Sequence, residues 1–208
     1  MKMTELQYLL VEGKDDFHVI SSLCDKFSIN QNFTILDCNG IDKLFETLPV
    51  RFKESGLKTI GIIVDADSDI LSRWNHLKEL IRSFGFVVED EIPCEGLKTT
   101  NKKNQSLGVW IMPDNKTSGM LEDFIRYLIP DEDELANEVN NTLDNIESLK
   151  LNKYKPIYRS KAFIHNWLSF QETPGSPLGA AITRSYLSTN SDKCINLMNW
   201  LKNLFNEK

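Results

Sequence analysis

The stretch Thr59-Ile60-Gly61-Ile62-Ile63-Val64-Asp65-Ala66-Asp67-Ser68-Asp69 decides the fold, because an apolar, largely β-branched run stops abruptly at three alternating carboxylates. Such a run, closed by a charged turn, suits a strand covered on both faces, as in a parallel sheet. Its acids then stand at the carboxyl end, which in open α/β sheets borders the ligand crevice. In extended chain Asp65 and Asp67 project to one side and form a hard-oxygen pair suited to Mg²⁺. The competing role is structural, since Ser68 or Asp69 is placed to cap a helix over Ile70–Phe84. A calcium loop of the EF-hand kind fails: counted from Asp65, Ile70 stands where a Gly is needed and His76 where a bidentate Glu is needed.

Working outward, Gln7–Val11 reads as a first buried strand that ends at Glu12-Gly13-Lys14-Asp15-Asp16, before an amphipathic helix over Phe17–Phe27. Glu12 ends its strand as Asp65 does. Asp16, four residues on, is placed to face the same crevice from the helix, although Asp15 or Asp16 would also serve as a cap. Lone Gly13 does not make a phosphate-binding loop, so Lys14 is not a Walker lysine. Phe33–Cys38 is a second strand, and Ile41–Glu54 a helix with Pro49 near its end. After the acid cluster, Leu71, Trp74, Leu77, Leu80, Ile81 and Phe84 keep helical spacing up to Gly85. Phe86–Ile92 has the composition of a strand outside the main sheet. Glu95–Ser106 reads as a polar loop whose Lys98, Lys102 and Lys103 suit phosphate if the crevice lies nearby. Leu107–Met112 is a further strand, and Gly119–Leu128 a helix opened by Glu122 and Asp123, where the helix dipole favours acids in any case.

Residues 1–128 thus form a doubly wound α/β core of the Rossmann-like kind, a parallel sheet with helices on both faces. Residues 129–208 form a helical extension: an acidic helix within Asp131–Leu149, then helices over Arg159–Phe170, Leu178–Leu187 and Asp192–Phe205. The chain has 208 residues, a hydrophobic content of 41% and a net charge of −6, enough apolar material for a sizeable core. No apolar run reaches the roughly 20 residues of a membrane span, and the N-terminus lacks signal-peptide character, so a cytosolic protein is expected. Cys24, Cys38, Cys94 and Cys194 lack zinc-ligand spacing and read as reduced thiols. The charge is uneven: Asp131–Leu149 carries seven acids and no Lys or Arg, whereas Lys150–Lys208 carries nine bases against three acids. The basic tail, Arg159 included, is compatible with a phosphate backbone, and the acidic segment with steering a protein partner.

Leu10-Val11-Glu12-Gly13-Lys14-Asp15-Asp16 followed by Ile63-Val64-Asp65-Ala66-Asp67 resembles the two signatures of the Toprim domain of topoisomerases, DnaG-type primases and OLD and RNase M5 nucleases. Over nearly its whole length, including Met112–Asn115, Gly119–Phe124, Lys161–Leu168 and Gln171–Gly179, the chain resembles a family of small stand-alone Toprim-like proteins, DUF3226. The resemblance implies a strand order 2-1-3-4 and a Mg²⁺ or Mn²⁺ site on Glu12, Asp65 and Asp67. By the same match Asp16 and Glu122 correspond to the further acids of OLD nucleases and Lys161 to their late lysine. The implied activity is metal-dependent hydrolysis of DNA or RNA phosphodiesters. The alternative is a non-catalytic binding subunit of a complex with an ATPase, because OLD nucleases carry an ATPase that this sequence lacks. A receiver domain also keeps acids at the ends of strands one and three but needs an acid pair directly after the first, a lone phosphoacceptor and a Lys after strand five, and a haloacid-dehalogenase phosphatase has Asp-x-Asp-x-Thr after its first strand; the sequence meets neither pattern. No Tyr has the context of a topoisomerase nucleophile.

Overall fold

A computed structural model describes residues 5–205. Five strands make one sheet: β1 (Leu6–Val11), β2 (Thr34–Asp37), β3 (Leu57–Asp65), β4 (Leu97–Thr100) and β5 (Ser106–Met112), in the order β2-β1-β3-β5-β4. All neighbours run parallel except β4, an antiparallel edge strand on β5. Eight helices accompany them: α1 (Lys14–Lys26), α2 (Ile41–Arg51), α3 (Ile70–Ser83), α4 (Leu121–Arg126), α5 (Glu134–Ser148), α6 (Arg159–Ser169), α7 (Leu178–Thr183) and α8 (Asp192–Phe205). None of the described helices is long and apolar enough to cross a membrane.

Because successive side chains alternate across a strand, each central strand feeds two cores. Leu10, Ile60, Ile62, Val64, Val109 and Ile111 pack with α2 and α3 on one face. Leu9, Val11, Ile63, Trp110 and Met112 pack on the other face with α1 and with helices from α4 to α8. The C-terminal helix lies directly on the sheet, and two glycines make room for it. A Cβ on Gly108 would stand 2.5 Å from Leu204, and one on Gly61 would stand 3.0 Å from Leu204 and 2.8 Å from Leu9. Larger residues there would have to displace packed side chains, so α8 and the sheet are one core.

Two segments differ from the sequence expectation. Phe86–Ile92 pairs with no strand; Phe86 and Val88 are buried, and its carbonyls accept from side chains, Val87 from Thr99 Oγ1, Val88 from Arg82 and Asp90 from Trp74 Nε1. Its apolar alternation reflects packing of an irregular chain. Part of the polar Glu95–Ser106 stretch is instead strand β4, where the pairing of Thr99 with Leu107 and Thr100 with Ser106 supplies the backbone bonds. An edge strand needs only one apolar face, and Lys98 and Thr100 show how polar the rest becomes.

Candidate functional site at the carboxyl edge of the sheet

Val11 pairs with Ile63, which brings the ends of β1 and β3 level at the point where the strand order reverses. Glu12 and Asp65 therefore stand side by side, and the Asp65 N–H lies 3.4 Å from Glu12 Oε2. Asp65 Oδ1 accepts from the backbone N–H of Leu121 at the start of α4 (2.9 Å), which fixes that helix to the end of β3. The next residue, Glu122, is 4% exposed and pairs with Lys161 of α6 at 3.0 Å. Asp16 on the first turn of α1 is 6% exposed; its Oδ2 accepts from Gly13 N–H (3.1 Å), while its Oδ1 is buried without a partner. Asp16 thus acts as a cap and still presents an unsatisfied oxygen. These four acids and Lys161 line one cleft of about 310 Å³, closed by Gly13, Lys14, Asp15, Asn39, Gly40 and Leu121.

The electrostatics follow from that crowding. Burial first, and then the charge of Glu12, push the Asp16 carboxyl up to about 7. Burial followed by the charges of Asp16, Glu12 and Glu122 holds Asp65 well above the usual carboxylate range. Glu12 is raised mainly by burial, against a lowering by the Asp65 N–H and Arg73. Lys161 moves upward: its burial lowers it, but Glu122, Asp15 and Asp65 outweigh that. The cleft thus holds more negative charge than its one paired lysine balances.

Asp67 is placed differently from the alternation expected of an extended chain. Its backbone is left-handed (φ 54°) and its N–H donates to Gly119 O (2.8 Å). The side chain meets Arg73 Nη2 at 2.5 Å, and Arg73 Nε donates to the Asp65 carbonyl. Asp67 therefore lines a neighbouring hollow with Ser68, Asp69, Ser72 and His76. Its charge still reaches Glu12 and Asp65, raising both. Asp69 performs the capping role, accepting from Ser72 N–H at 3.0 Å.

The basic residues considered for phosphate do not gather at the cleft. Lys102 and Lys103 sit in the β4–β5 turn at the start of β5, so the length of that strand, roughly 20 Å at about 3.3 Å per residue, separates them from the acids. Lys98 reaches the carbonyl of Asn203 on α8 (2.8 Å). Arg159 is engaged by Glu147, Asp144 and Asn140 of α5. Lys14 and Lys161 are the cations that line the cleft. Arg73 went unread in the sequence, although its place eight residues after Asp65 on the following helix was the available signal.

Among the described residues, no group of three or more His, Cys, Asp or Glu side chains is arranged to hold a metal ion as it stands. The donor set nevertheless fits a hard divalent cation: it is all carboxylate oxygen, one oxygen of Asp16 is orphaned in the interior, and burial disfavours the ionised forms of Glu12, Asp16 and Asp65, with the charge of Glu12 adding to it at Asp16 and Asp65.

Fold and site together define an open α/β protein with an acidic crevice at its topological switch point. The model of one family, described as "Protein of unknown function (DUF3226)", matches residues 6–206, and the chain belongs to that family. No curated protein matches. Among solved structures the chain is similar to the crystal structure of hypothetical protein PH0156 from Pyrococcus horikoshii OT3, at 13% identity and a TM-score of 0.58, over 96% of this chain and 95% of that one. At that identity the likeness concerns the fold alone.

Proposed function

We propose that the protein is a divalent-metal-dependent phosphodiester hydrolase acting on nucleic acid, with Glu12, Asp16, Asp65 and Glu122 as the acidic centre. The observation that carries this reading is the convergence of four carboxyls and Lys161 from β1, α1, β3, α4 and α6 into one cleft, where Lys14 and Lys161 are the lining cations among the described residues. The likeness of the strand–Glu-Gly and strand–Asp-x-Asp segments to Toprim signatures supports it. Mg²⁺ or Mn²⁺, when bound, would polarise a phosphoryl oxygen and lower the pKa of a water. Glu12, Asp16 and Asp65 would hold the ion. Glu12, part-exposed and raised above the ordinary carboxylate value mainly by burial, is the group suited to take the proton of the attacking water. Lys161, half-exposed beside Glu122, would balance charge on the phosphate. Asp67 would act through Arg73, which fixes the Asp65 carbonyl. The strength of the phosphate contacts should fall with salt.

The deciding experiment incubates the purified protein with mixed DNA and RNA substrates in Mg²⁺, Mn²⁺ or EDTA, beside Asp65→Ala. Metal-dependent cleavage reduced on the order of 100-fold or more in the variant is expected. Cleavage undiminished in EDTA or in Asp65→Ala would overturn the mechanism. The second reading, a non-catalytic module that works with an ATPase partner, has one observation in its favour: few free cations surround the cleft, so a substrate would need a partner's help to dock.

A further inference from the structure

Helix α5 is clamped to α6 at both ends. Near its start, Trp167 Nε1 donates to Asp133 (3.2 Å); toward its end, Arg159 donates to Glu147 (3.2 Å) and Asp144 (2.5 Å), and at mid-helix to Asn140 (3.3 Å). Between the clamps runs a groove of about 270 Å³, walled by Leu135, Val139 and Thr142 of α5 and by Asn166 and, just past the end of α6, Phe170. The α5 residues follow i, i+4, i+7 spacing, and the opposite pair follows i, i+4, so each wall is a single stripe. Val139 belongs to the core beneath, whereas Phe170 is 68% exposed.

The charges around this groove are divided sharply. Of the seven acids in Asp131–Leu149, Asp133 caps α5 and binds Trp167, while Asp144 and Glu147 hold Arg159. Asp131, Glu132, Glu134 and Glu138 are exposed and form no ion pair among the described residues, and Glu138 lines the groove itself. The acids used internally lie mainly at one end of α5; of those left over, Glu138 lines the opening, Glu134 stands one turn before it, and Asp131 and Glu132 precede the helix.

We infer that the α5–α6 groove docks an amphipathic helix of a partner protein, with apolar residues on one side and lysine or arginine on its flanks. A groove with helically spaced walls receives the i, i+3, i+4, i+7 anchors of such a helix. Exposed apolar surface rimmed by polar groups marks an interaction site, and the unpaired acids set the sign of the partner's rim. The same acids repel a phosphate backbone. The inference is independent of the hydrolytic reading, because none of its residues lines the acidic cleft.

The test uses the full chain and a labelled synthetic helical peptide of about 18 residues, with leucines at i, i+3, i+4 and i+7 and lysines elsewhere. Fluorescence anisotropy is read against the same peptide with glutamates for lysines and against a scrambled one. Binding that weakens with salt, and that falls about tenfold or more in Phe170→Ala and in Glu134→Lys/Glu138→Lys, is expected, with thermal melts of these surface variants close to the parent's. Binding absent at millimolar peptide, equal binding of the acidic peptide, or binding indifferent to both variants would overturn the proposal. So would a dimer in sedimentation that Phe170→Ala dissolves, which would assign the groove to a second copy of the chain.

Discussion

Asp114 and Asp16 are buried to almost the same degree near the same edge of the sheet, 5% and 6% exposed, yet they are held in opposite electrostatic states. Asp114, in the turn after β5, has both oxygens bonded: Oδ1 accepts from Lys116 N–H (3.1 Å), Thr117 N–H (2.9 Å) and Thr117 Oγ1 (2.9 Å), and Oδ2 accepts from Lys193 of α8. Burial alone would raise its carboxyl, but Lys193 and the Thr117 bonds outweigh that and lower it. Asp16 has a single bond, an orphaned oxygen and acidic neighbours, and burial drives it up to about 7. A buried carboxylate is therefore no mark of function in itself; one the fold leaves uncompensated is the stronger candidate for a site.

The contrast can be broken by exchanging each acid for its amide. Asp114→Asn should destabilise the protein by on the order of 2–3 kcal/mol at neutral pH, because Lys193 and the turn amides lose a charged acceptor; chemical denaturation measures it, and a change near zero would remove Asp114 from the comparison. Asp16→Asn should act in the opposite direction, adding about 1–2 kcal/mol at pH 8 without divalent ions, since it deletes a disfavoured charge and keeps an acceptor for Gly13. With Mn²⁺ present the ranking should invert: the parent and Asp114→Asn gain thermal stability on addition of the ion, and Asp16→Asn gains less.

The pH dependence sharpens the same point through its sign. For Asp16 the folded value lies above the ordinary 3.8, so between 3.8 and about 7 the folded state keeps a proton that the unfolded chain has lost, and stability falls as pH rises through that window. Asp114, lowered in the fold, contributes stability that is present above the ordinary carboxylate value and is lost as pH falls through its folded value. Denaturation curves from pH 3 to 8 should therefore fall less steeply at the upper end in Asp16→Asn, where the raised Asp65 and Glu12 still contribute, and change less on the acid side in Asp114→Asn. The smallest effect belongs to Lys161→Met. Its side chain is 48% exposed, so solvent screens the pair, and although Glu122 is buried the stability change should stay within about 1 kcal/mol. A large loss would mean that Lys161 compensates the cleft far more fully than its geometry indicates.

Much of this architecture was written locally. The apolar runs ending at Glu12 and Asp65, the helical stripes of α3 and α5, and the cap at Ser68 or Asp69 each depend on residues a few positions apart, so periodicity and turn chemistry expose them. Asp67 was misread because alternation presumes extended backbone, and the left-handed turn there sends its side chain to Arg73. Strand β4 was missed because a polar edge strand has no periodic signature of its own, and Phe86–Ile92 imitated one because two of its residues had to fill the core. Asp114 went unread in the sequence, since its cation, Lys193, lies far along the chain.

By itself, then, the sequence determined the strand–acid pattern, the helices and the α/β class, all consequences of short-range periodicity and turn chemistry. Only the tertiary structure decided which acids share a cleft, which of them a cation neutralises, and that Lys102 and Lys103 stand at the far edge of the sheet. Those outcomes depend on strand order and on contacts between distant segments, such as α8 lying on Gly61 and Gly108, and burial and charge compensation exist only once such contacts are made.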